Sequence, residues 1–464
     1  MSIAETHRIF LNGLLESVGQ ASVLTEDSDV WAYGQDNSRK HVKPAAVVLA
    51  ERPDQVQQVI HLCHQHKVPV TVRGRGTGTA GGAIPSADGI VLSLERMNRI
   101  LRVDVANRLA EVEAGVLNQT LQDEVSGHGF FWPPDPTSAA FCTIGGNIAV
   151  NSAGPRALKY GTTRDNVLGL KAITGTGDEI RTGVYTTKGV VGYDLTRLII
   201  GSEGTLAVVT EAILKLVPQP ETTRLLQGIY RDIKSATEAI VAIMAQANIP
   251  RSLEFMDHAS LEMVRGFSDA DLPTNAGAML LIEADGPLSA IESIAKSIGD
   301  AATNDGLIAL NVAKTKKESD ELWATRKALS PALKNVAPNK LNEDVVVPVS
   351  DIPELIRGLG EISVRFGIPI VNFGHAGNGN IHVNLLYDSQ DPDQARQARP
   401  CLDQVFDLVL KLHGTLSGEH GIGIEKRDYI NREIDPATLD LMRRIKQEFD
   451  PGNILNPGKI FPAA

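Results

Sequence analysis

The residues best suited to chemistry lie in two short segments near the carboxyl end of the chain. The first, Asn372–His382, places two histidines on either side of a loop of glycine and asparagine, and the second, Ser417–Gly423, contains a glutamate followed by a histidine. Two imidazoles and one carboxylate are a common ligand set for Zn²⁺ and other divalent ions. These segments therefore predict a metal site formed by His375, His382 and Glu419.

A further histidine, His420, follows Glu419 directly and would stand beside the metal without binding it. An imidazole in that place can act as a general base. The alternation of His382, Val383 and Asn384 indicates a β-strand with its polar residues on one face. A purely structural role, in which Glu419 and His420 only close a turn, is the alternative that these residues leave open.

A glycine-rich stretch, Gly74–Gly82, is typical of a loop that binds phosphate. Glycine lets the backbone turn tightly, and successive N–H groups in such a turn form a concave site for an anion. The stretch satisfies the dinucleotide-binding pattern G-x-G-x-x-G, but Pro85 and a turn at Asp88–Gly89 exclude the helix that this pattern requires. We therefore predict that the loop connects two strands, the second at Ile90–Leu94. A flexible surface loop is the alternative.

Composition and charge bound the class of protein. The chain has 464 residues, 42% hydrophobic and 22% charged, as in soluble globular proteins, and its net charge of −11 disfavours nucleic acid as a partner. Three dispersed cysteines, Cys63, Cys142 and Cys401, cannot build an iron–sulfur cluster. The sequence shows no signal peptide and no apolar stretch long enough to span a bilayer. We expect a cytoplasmic protein with reduced thiols, with peripheral attachment at the inner membrane as an alternative.

The order of hydrophobic patterns predicts an α+β chain in four parts. These parts are a helical leader at 1–40, a first domain at 41–220, a second domain at 221–413 and a closing segment at 414–464. Strand patterns in the second domain fall at 225–230, 253–256, 278–284 and 308–312, and helix patterns fall at 233–247, 258–266, 287–303 and 317–335. Such a sheet layer is well suited to cap a ligand.

A second segment rich in small and amide side chains, Cys142–Gly154, interrupts the first domain. A simple loop of glycine and asparagine is the alternative, but two such segments in one domain indicate a large ligand contacted on several sides. Further along, Leu198–Leu206 is expected to form a turn between two apolar strands.

Five motifs, in this order along the chain, resemble the FAD-binding domain of the vanillyl-alcohol oxidase family, also called the PCMH type. They are Arg73–Thr77, Pro134–Pro136, Ile144–Asn147, Tyr160–Gly161 and Ile200–Thr205. The resemblance implies that Gly74–Thr79 hold the pyrophosphate and that Thr143–Gly154 lie along the isoalloxazine and ribityl groups. Some relatives attach the flavin through a histidine where this chain has Thr77, so the FAD is expected to be noncovalent.

The resemblance also places Glu203, Gly204 and Val209 near the adenine, and it returns the closing segment to the flavin through Asn456. The residues expected to bind the cofactor are Arg73, Gly74, Gly76, Thr77, Gly78, Thr79, Pro134, Asp135, Thr143, Gly145, Gly146, Asn147, Asn151, Gly154, Tyr160, Gly161, Glu203, Gly204, Val209 and Asn456. The implied fold is a PCMH-type FAD-binding domain, an α+β cap domain with an antiparallel sheet, and a carboxyl-terminal segment that completes the site.

The histidine and glutamate segments resemble those of the FAD-linked D-2-hydroxyacid dehydrogenases, which include D-lactate, D-2-hydroxyglutarate and glycolate-oxidising members. The resemblance implies that the three predicted ligands bind Zn²⁺ or Mn²⁺ and that His420 is the base. It also implies that Arg326, in the segment Leu322–Arg326, binds the substrate carboxylate. Asn378 replaces an aspartate that is common in the family. The residues expected to contact substrate are Arg326, Lys340, Asn380 and His420, and a solvated lysine is the alternative for Lys340.

The expected reaction is the oxidation of a D-2-hydroxy acid, D-lactate or D-2-hydroxyglutarate, to the 2-oxo acid. Electrons would pass from FAD to an acceptor other than NAD, namely a quinone, an electron-transferring flavoprotein or a cytochrome. The alternatives are a glycolate or 2-hydroxyacid oxidase that reacts with O₂, a flavoprotein subunit of a larger complex, and a zinc hydrolase, which would be colourless. The sequence also leaves a homodimer open.

Overall fold

The computed structural model describes residues 3–267 and 272–462, so residues 1–2 of the predicted leader, residues 268–271 of the predicted second domain and residues 463–464 of the predicted closing segment lie outside the described residues. The strands are β1 (Val23–Leu24), β2 (Ala46–Leu49), β3 (Val70–Arg73), β4 (Ile90–Ser93), β5 (Ile100–Asp104), β6 (Leu109–Glu113), β7 (Phe130–Phe131), β8 (Val167–Thr174), β9 (Glu179–Gly183), β10 (Ala207–Lys215), β11 (Val217–Pro218), β12 (Thr222–Tyr230), β13 (Ser252–Asp257), β14 (Ala278–Gly286), β15 (Leu307–Val312), β16 (Asn339–Val346), β17 (Ile370–His375) and β18 (Asn380–Tyr387).

Helices alternate with these strands along most of the chain. They are α1 (Ile3–Val18), α2 (Asp27–Val30), α3 (Pro53–His66), α4 (Asn118–Ser126), α5 (Ile144–Val150), α6 (Ala157–Tyr160), α7 (Leu195–Ile199), α8 (Ile233–Ala245), α9 (His258–Phe267), α10 (Ile291–Ala302), α11 (Lys316–Val336), α12 (Ile352–Phe366), α13 (Pro392–Lys411), α14 (Ile430–Glu433) and α15 (Pro436–Phe449). Among the described residues, no helix has the length and apolar character needed to cross a membrane.

The chain divides into two compact units. The first unit consists of Met1–Gly154, Gly161–Gln219 and Glu419–Ala464, and the second unit consists of Pro155–Tyr160 and Pro220–Gly418. The helical leader therefore belongs to the first unit, as does the part of the closing segment that begins at Glu419.

The glycine-rich loop lies in a small sheet of the first unit, with strand order β1-β2-β4-β3. Strands β2 and β3 both run parallel to β4, and α3 connects β2 to β3. Helix α3 begins at Pro53, whose fixed φ suits the first turn of a helix. The chain then passes from β3 to β4 without an α-helix, which confirms the prediction that the loop joins two strands.

The first unit also contains a five-stranded antiparallel sheet with the order β5-β6-β10-β8-β9. Residues 144–150, for which a loop was the alternative, form α5, because Thr143 caps the helix by accepting a hydrogen bond from Gly146 N–H and because Ile144 and Ile148 share a buried face. One prediction near this sheet was wrong. Residues 198–199, predicted as strand, end α7, which Asp194 caps.

The carboxyl-terminal residues complete the first unit. After α15, Leu455 forms a parallel bridge with Val70, and the N–H group of Asn456 donates to the Val70 carbonyl at 2.7 Å. A buried ion pair between Lys446 and Asp450 fixes the turn that leads back to this strand, because Asp450 also accepts from Leu455 N–H.

The second unit is built on a seven-stranded antiparallel sheet with the order β15-β12-β14-β13-β17-β18-β16. The predicted antiparallel sheet is thus present, and the four predicted strands correspond to β12, β13, β14 and β15. The central strands carry Leu280, Phe255 and Ile381 into a buried core. Strand β17, which bears His375, lies beside β13, and β18, which bears His382, lies on the other side of β17.

A buried lysine in the first unit should make stability depend on pH. Lys459 is 4% exposed and donates to the Ile84 carbonyl, and burial lowers its pKa to about 8, with the charge of Glu203 opposing the shift. In the unfolded chain the pKa returns to about 10.4. Between these values the unfolded chain binds more protons, so stability rises with pH.

We therefore expect the melting temperature of the wild type, relative to that of Lys459→Met, to rise between pH 8 and pH 10. Below pH 8 the cost of burying the ammonium group is fully present, and the difference should be constant. Thermal unfolding of both proteins across this range measures it. A difference that does not change with pH would show that the folded protein does not bury the charged form.

Candidate active site

His375 and His382 lie on neighbouring strands of the second unit. Strand β17 ends at His375, and in the β17–β18 register Phe373 is opposite His382 and Asn380 is opposite His375. Because side chains alternate along a strand, the two histidines share one face of the sheet. Their ring centroids are 5.2 Å apart with an edge-to-face orientation, and both side chains are buried.

Glu419 joins this pair of histidines. Ligand atoms of His375, His382 and Glu419 all lie within 4.8 Å of one another. Glu419 directly follows Gly418, whose N–H group donates to both the carbonyl and the carboxylate of Asp344 at 2.8 Å. Two nitrogen donors and one oxygen donor suit a divalent ion with open positions for substrate. The structure brings the three predicted ligands together, and metal binding by them stays a prediction.

Close packing around Gly418 fixes the backbone before Glu419. A Cβ atom on Gly418 would lie 2.6 Å from Nδ2 of Asn380, so a larger residue would not fit. Asn380 was predicted to bind substrate, but its amide donates to the Val345 carbonyl at 3.1 Å. Ser417 donates its hydroxyl to Asp344 at 3.1 Å. Asn380 thus bonds to β16 and packs closely against Gly418, and its contact with substrate stays a prediction.

Glu254, on β13, is a candidate that sequence reasoning missed. It is 1% exposed, its Oε1 lies 2.5 Å from Nδ1 of His375, and its Oε2 accepts from Nε of Arg326 at 2.9 Å. A carboxylate on one ring nitrogen orients a metal-binding histidine and leaves the other nitrogen for the ion. The only signal in the sequence was a lone carboxylate within the apolar strand pattern 253–256.

The Glu254 carboxylate is held as an anion. Burial alone would raise its pKa, but the charges of His375 and Arg326 and their hydrogen bonds outweigh burial and lower the pKa to about 2. A buried carboxylate that lost either partner would retain its desolvation cost without compensation. Glu254 therefore couples the position of a predicted metal ligand to that of the predicted substrate-binding arginine.

Arg326 lies on α11, and its guanidinium group stacks 4.7 Å above the ring centroid of Phe373. The bond to Glu254 uses Nε. A substrate carboxylate would therefore have to bind through the terminal Nη nitrogens, on the side of the guanidinium that faces away from Glu254. This arrangement restricts the bidentate pairing implied by the family resemblance to one edge of the guanidinium.

A row of polar residues continues along the same face of the sheet. In the β16–β18 register Asp344 is opposite His382, Asn342 is opposite Asn384, and Lys340 is opposite Leu386. Lys340, Asn342 and Asp344 therefore share a face with the histidine. Lys340 lies four positions before Asp344, which corresponds to about 13 Å along a strand. This places Lys340 where it suits a group distant from the reacting carbon.

Asn384 is a second residue that sequence reasoning did not include among the site residues. It is fully buried, and its amide nitrogen donates to the carbonyls of Val371 and His382 at 3.2 Å. No described residue donates to its Oδ1 atom. A buried amide oxygen without a protein donor, one strand repeat from His382, is suited to accept a hydrogen bond from a ligand.

In the first unit, the glycine-rich loop fits a phosphate group. Gly76 has φ +66°, and a Cβ atom on Gly78 would meet no other atom within 4 Å. The carbonyls of Thr77 and Gly78 accept hydrogen bonds from Asn37, whereas within the described residues the N–H groups of Gly76–Thr79 donate to no protein group. Unpaired amides in a tight turn form an anion site, so the loop fits the pyrophosphate of a dinucleotide.

The side chain of Arg73 packs against the glycine-rich loop at Gly76. Its Nη1 donates to the Gln35 carbonyl at 2.7 Å, and a Cβ atom on Gly76 would lie 2.1 Å from its Nη2. Burial lowers the pKa of Arg73, with the nearby Asp36 opposing the shift. Because the guanidinium is already engaged with the protein, a direct contact between Arg73 and phosphate stays a prediction.

Other predicted cofactor residues also use their side chains within the protein. Tyr160 donates its hydroxyl to Asp285, both in the second unit, and Val209 packs in the core beside β8. The predicted cofactor residues whose side chains contact other protein groups are Arg73, Thr143, Asn147, Asn151, Tyr160, Glu203, Val209 and Asn456. Backbone contact with FAD at Gly74, Gly76, Gly78, Gly145 and Gly146 stays a prediction.

Comparison with known proteins places the chain in a family. Residues 219–460 match the model "FAD linked oxidases, C-terminal domain", and residues 44–183 match the model "FAD binding domain". The chain therefore belongs to the family of FAD-linked oxidases, as the sequence motifs predicted. It is an oxidoreductase of the group that contains the glycolate oxidase subunit GlcD, D-lactate dehydrogenases and D-2-hydroxyglutarate dehydrogenases.

Three relatives illustrate the group. The glycolate oxidase subunit GlcD of Bacillus subtilis is 40% identical over 90% of this chain and 89% of its own length. A D-lactate dehydrogenase of Archaeoglobus fulgidus is 37% identical over 92% of this chain and 95% of its own. A D-2-hydroxyglutarate dehydrogenase of Stutzerimonas stutzeri is 32% identical over 99% of this chain and 100% of its own.

The fold is also that of a solved structure. P-cresol methylhydroxylase with bound substrate superimposes with a TM-score of 0.79 over 98% of this chain and 97% of its own, at 18% sequence identity. Identity at that level supports the fold alone. The predicted PCMH-type FAD-binding fold is thereby confirmed.

The bond from Glu254 to His375 should strengthen metal binding. Glu254→Gln keeps the shape of the side chain but removes the negative charge that orients the imidazole, so the affinity for Zn²⁺ or Mn²⁺ should fall by about 10- to 100-fold. Titration of metal-stripped, FAD-loaded protein with each ion measures it. Glu283→Gln is the matched control, because Glu283 lies on β14 of the same sheet and pairs with Arg251. Equal affinity in wild type and Glu254→Gln would contradict the role of Glu254.

Proposed function

We propose that the protein oxidises a D-2-hydroxy acid to the 2-oxo acid, with FAD as the oxidant and a divalent ion held by His375, His382 and Glu419. D-lactate and D-2-hydroxyglutarate are the proposed substrates. The observation that carries the proposal is the convergence of these three ligand atoms within 4.8 Å in a chain of the FAD-linked oxidase family. The chemistry of a flavin alone does not require two buried imidazoles beside a half-buried carboxylate.

Each group would supply one part of the reaction. A bound divalent ion lowers the pKa of a substrate hydroxyl and orients it. FAD, when bound, would supply the two-electron acceptor for the hydride on C2. One C–H bond and one O–H bond break and the carbonyl forms, so the products are the 2-oxo acid, reduced FAD and one proton. The protein must take up that proton.

His420 is the proposed base. It follows Glu419 directly, and its Nε2 atom lies 3.9 Å from Oε1 of that glutamate. An imidazole at this distance stands next to the substrate hydroxyl if Glu419 binds the ion that the hydroxyl contacts. General bases placed in this way contribute about 10²- to 10⁴-fold to rate. The hydroxyl proton then moves to the imidazole as the hydride leaves C2.

Arg326 and Lys340 are proposed to bind the substrate's anionic groups. Arg326 would pair with the C1 carboxylate through its terminal nitrogens, since Glu254 occupies Nε. Lys340 lies further along the polar face of β16 and would meet a second carboxylate, as in D-2-hydroxyglutarate. D-lactate has no such group, so Lys340→Met should reduce kcat/KM for D-2-hydroxyglutarate more than for D-lactate if the longer acid is the substrate.

Glycolate oxidation is a second candidate function. The relative with 40% identity is named a subunit of glycolate oxidase, which favours both a shorter substrate and a role as one flavoprotein subunit of a larger complex. A comparison of glycolate, D-lactate and D-2-hydroxyglutarate with a dye as electron acceptor separates the substrates. Turnover by the purified chain alone would show that no further subunit is needed for the oxidation itself.

Replacement of His420 tests the proposed function. His420→Ala should bind FAD normally and reduce it at least about 100-fold more slowly, because the hydroxyl proton has no acceptor. Anaerobic stopped-flow absorbance with the best of the three acids measures flavin reduction directly. His128→Ala, which removes an exposed histidine of the first unit, is the control and should behave as wild type. Flavin reduction at a near wild-type rate in His420→Ala would remove the base from the mechanism.

A further inference from the structure

Glu203, in the first unit, has an unusual backbone conformation and environment. It lies between α7 and β10 with φ +53°, a left-handed conformation that costs a residue with a side chain on the order of 1 kcal/mol or more. It is also a carboxylate with only 6% exposure. Both features are unfavourable by themselves, so the contacts around Glu203 must offset them.

The carboxylate of Glu203 accepts two backbone hydrogen bonds from the segment after His420. Oε1 accepts from the N–H group of Ile422 at 2.7 Å, and Oε2 accepts from that of Gly423 at 2.8 Å. Hydrogen bonds to an ionised acceptor are roughly twice as strong as neutral ones. One side chain therefore fixes two consecutive peptide groups, the first of them two residues beyond His420.

Two glycines let the backbone close around this carboxylate. Gly421 has φ +85°, and a Cβ atom there would lie 2.9 Å from Oε1 of Glu203. Gly423 has φ +50°, and a Cβ atom there would lie 1.9 Å from the carbonyl oxygen of Ala80. Glycine is therefore needed at position 421 because the backbone approaches Glu203 closely, and at position 423 because it approaches the glycine-rich loop.

Glu203 is itself held on the backbone side. Its N–H group donates to the Ala149 carbonyl at 2.8 Å, and its carbonyl accepts from Nδ2 of Asn456 at 2.7 Å. Burial raises the pKa of the Glu203 carboxyl, and the N–H groups that it accepts from, together with the positive charges of Lys459 and Lys426, oppose this shift. Because these hydrogen bonds fix the backbone of Glu203, its side chain can hold residues 422–423 in a defined position and does not simply move with them.

We propose that Glu203 is a positioning residue for His420, fixing the backbone that follows the imidazole and so its distance from the substrate hydroxyl. The inference rests on the proposed function, because it gives His420 a role as base. It also assigns the Glu203 carboxylate to the protein and not to the adenine of FAD, where the family resemblance had placed the residue.

Glu203→Gln tests the proposal with little change in volume. The amide can accept one of the two N–H groups, but its NH₂ group faces the other as a second donor. We expect kcat to fall by about 10- to 100-fold, as for small displacements of a reacting group. KM and FAD content, read from the visible spectrum, should stay within about twofold, because Arg326 and the metal ligands are untouched.

Hydrogen exchange gives a readout that does not depend on activity. In Glu203→Gln, the amides of Ile422 and Gly423 should exchange about tenfold faster, measured by mass spectrometry on peptides that cover 419–426 of the FAD-loaded protein. The matched control is Glu113→Gln. Glu113 is also buried in the first unit and accepts a backbone hydrogen bond from the N–H group of Arg99 at 2.8 Å, so exchange at 419–426 and kcat should both stay at wild-type values.

A second variant disturbs the contact between Glu203 and residues 421–423 by changing the segment instead of the glutamate. Gly421→Ala leaves Glu203 intact but pushes a methyl group against its carboxylate, and should reproduce both the loss of kcat and the faster exchange. If Glu203→Gln does not fold, Gly421→Ala decides the question by the same two measurements.

The outcomes separate this inference from the proposed function. Faster exchange together with a lower kcat and an unchanged KM supports positioning. Faster exchange with wild-type kcat overturns it and leaves Glu203 a structural anchor, and unchanged exchange overturns the contact itself. If the wild type oxidises none of the three acids, the proposed function fails and the role of His420 with it, while the exchange data still report whether Glu203 fixes residues 422–423.

Discussion

A buried carboxylate between an imidazole and a guanidinium is the interaction on which the rest of the candidate site depends. Glu254 contacts His375 with one oxygen and Arg326 with the other, at a position that is 1% exposed. A charge that is removed from water must be compensated locally, so neither partner can move without cost. The same pairing that satisfies this requirement also orients a predicted metal ligand and restricts the arginine to one free edge.

Buried carboxylates also fix the backbone of the segment Gly418–Gly423. Asp344 accepts from the N–H group of Gly418, and Glu203 accepts from those of Ile422 and Gly423. The two residues proposed to do chemistry, Glu419 and His420, thus lie between two stretches of backbone that are each fixed by a buried carboxylate. Small residues flank them because the backbone approaches other groups closely, which explains the glycines in physical terms.

Features that depend on residue type or on local backbone geometry could be predicted from the sequence. Two histidines around a glycine loop and a Glu-His pair predicted a convergence that the structure contains, and Pro85 predicted that the glycine-rich loop joins strand to strand. The family motifs predicted the PCMH-type fold and the FAD-linked oxidase family correctly. The loop that was the alternative for residues 142–154 holds only in part, because Ile144–Val150 form a capped helix.

The residues that the sequence did not reveal act through contacts between distant parts of the chain. Glu254 is 121 residues from His375, and Glu203 is 219 residues from Ile422. A lone carboxylate in an apolar strand looks the same whether it faces solvent or a histidine, so its partner can be found only from coordinates. The side chain of Arg73 likewise donates to the Gln35 carbonyl and that of Asn456 to the Gly82 carbonyl, contacts that the sequence did not indicate, and their contact with the cofactor stays a prediction.

The central claim is that His375, His382 and Glu419 hold one divalent ion that the oxidation requires. The most direct measurement is flavin reduction by the preferred 2-hydroxy acid in metal-stripped, FAD-loaded protein, before and after titration with Zn²⁺ or Mn²⁺, for the wild type and for His382→Ala. The account predicts that reduction is lost on stripping, returns when about one ion per chain has bound, and does not return in the variant. Full flavin reduction in protein shown to be free of metal would contradict it.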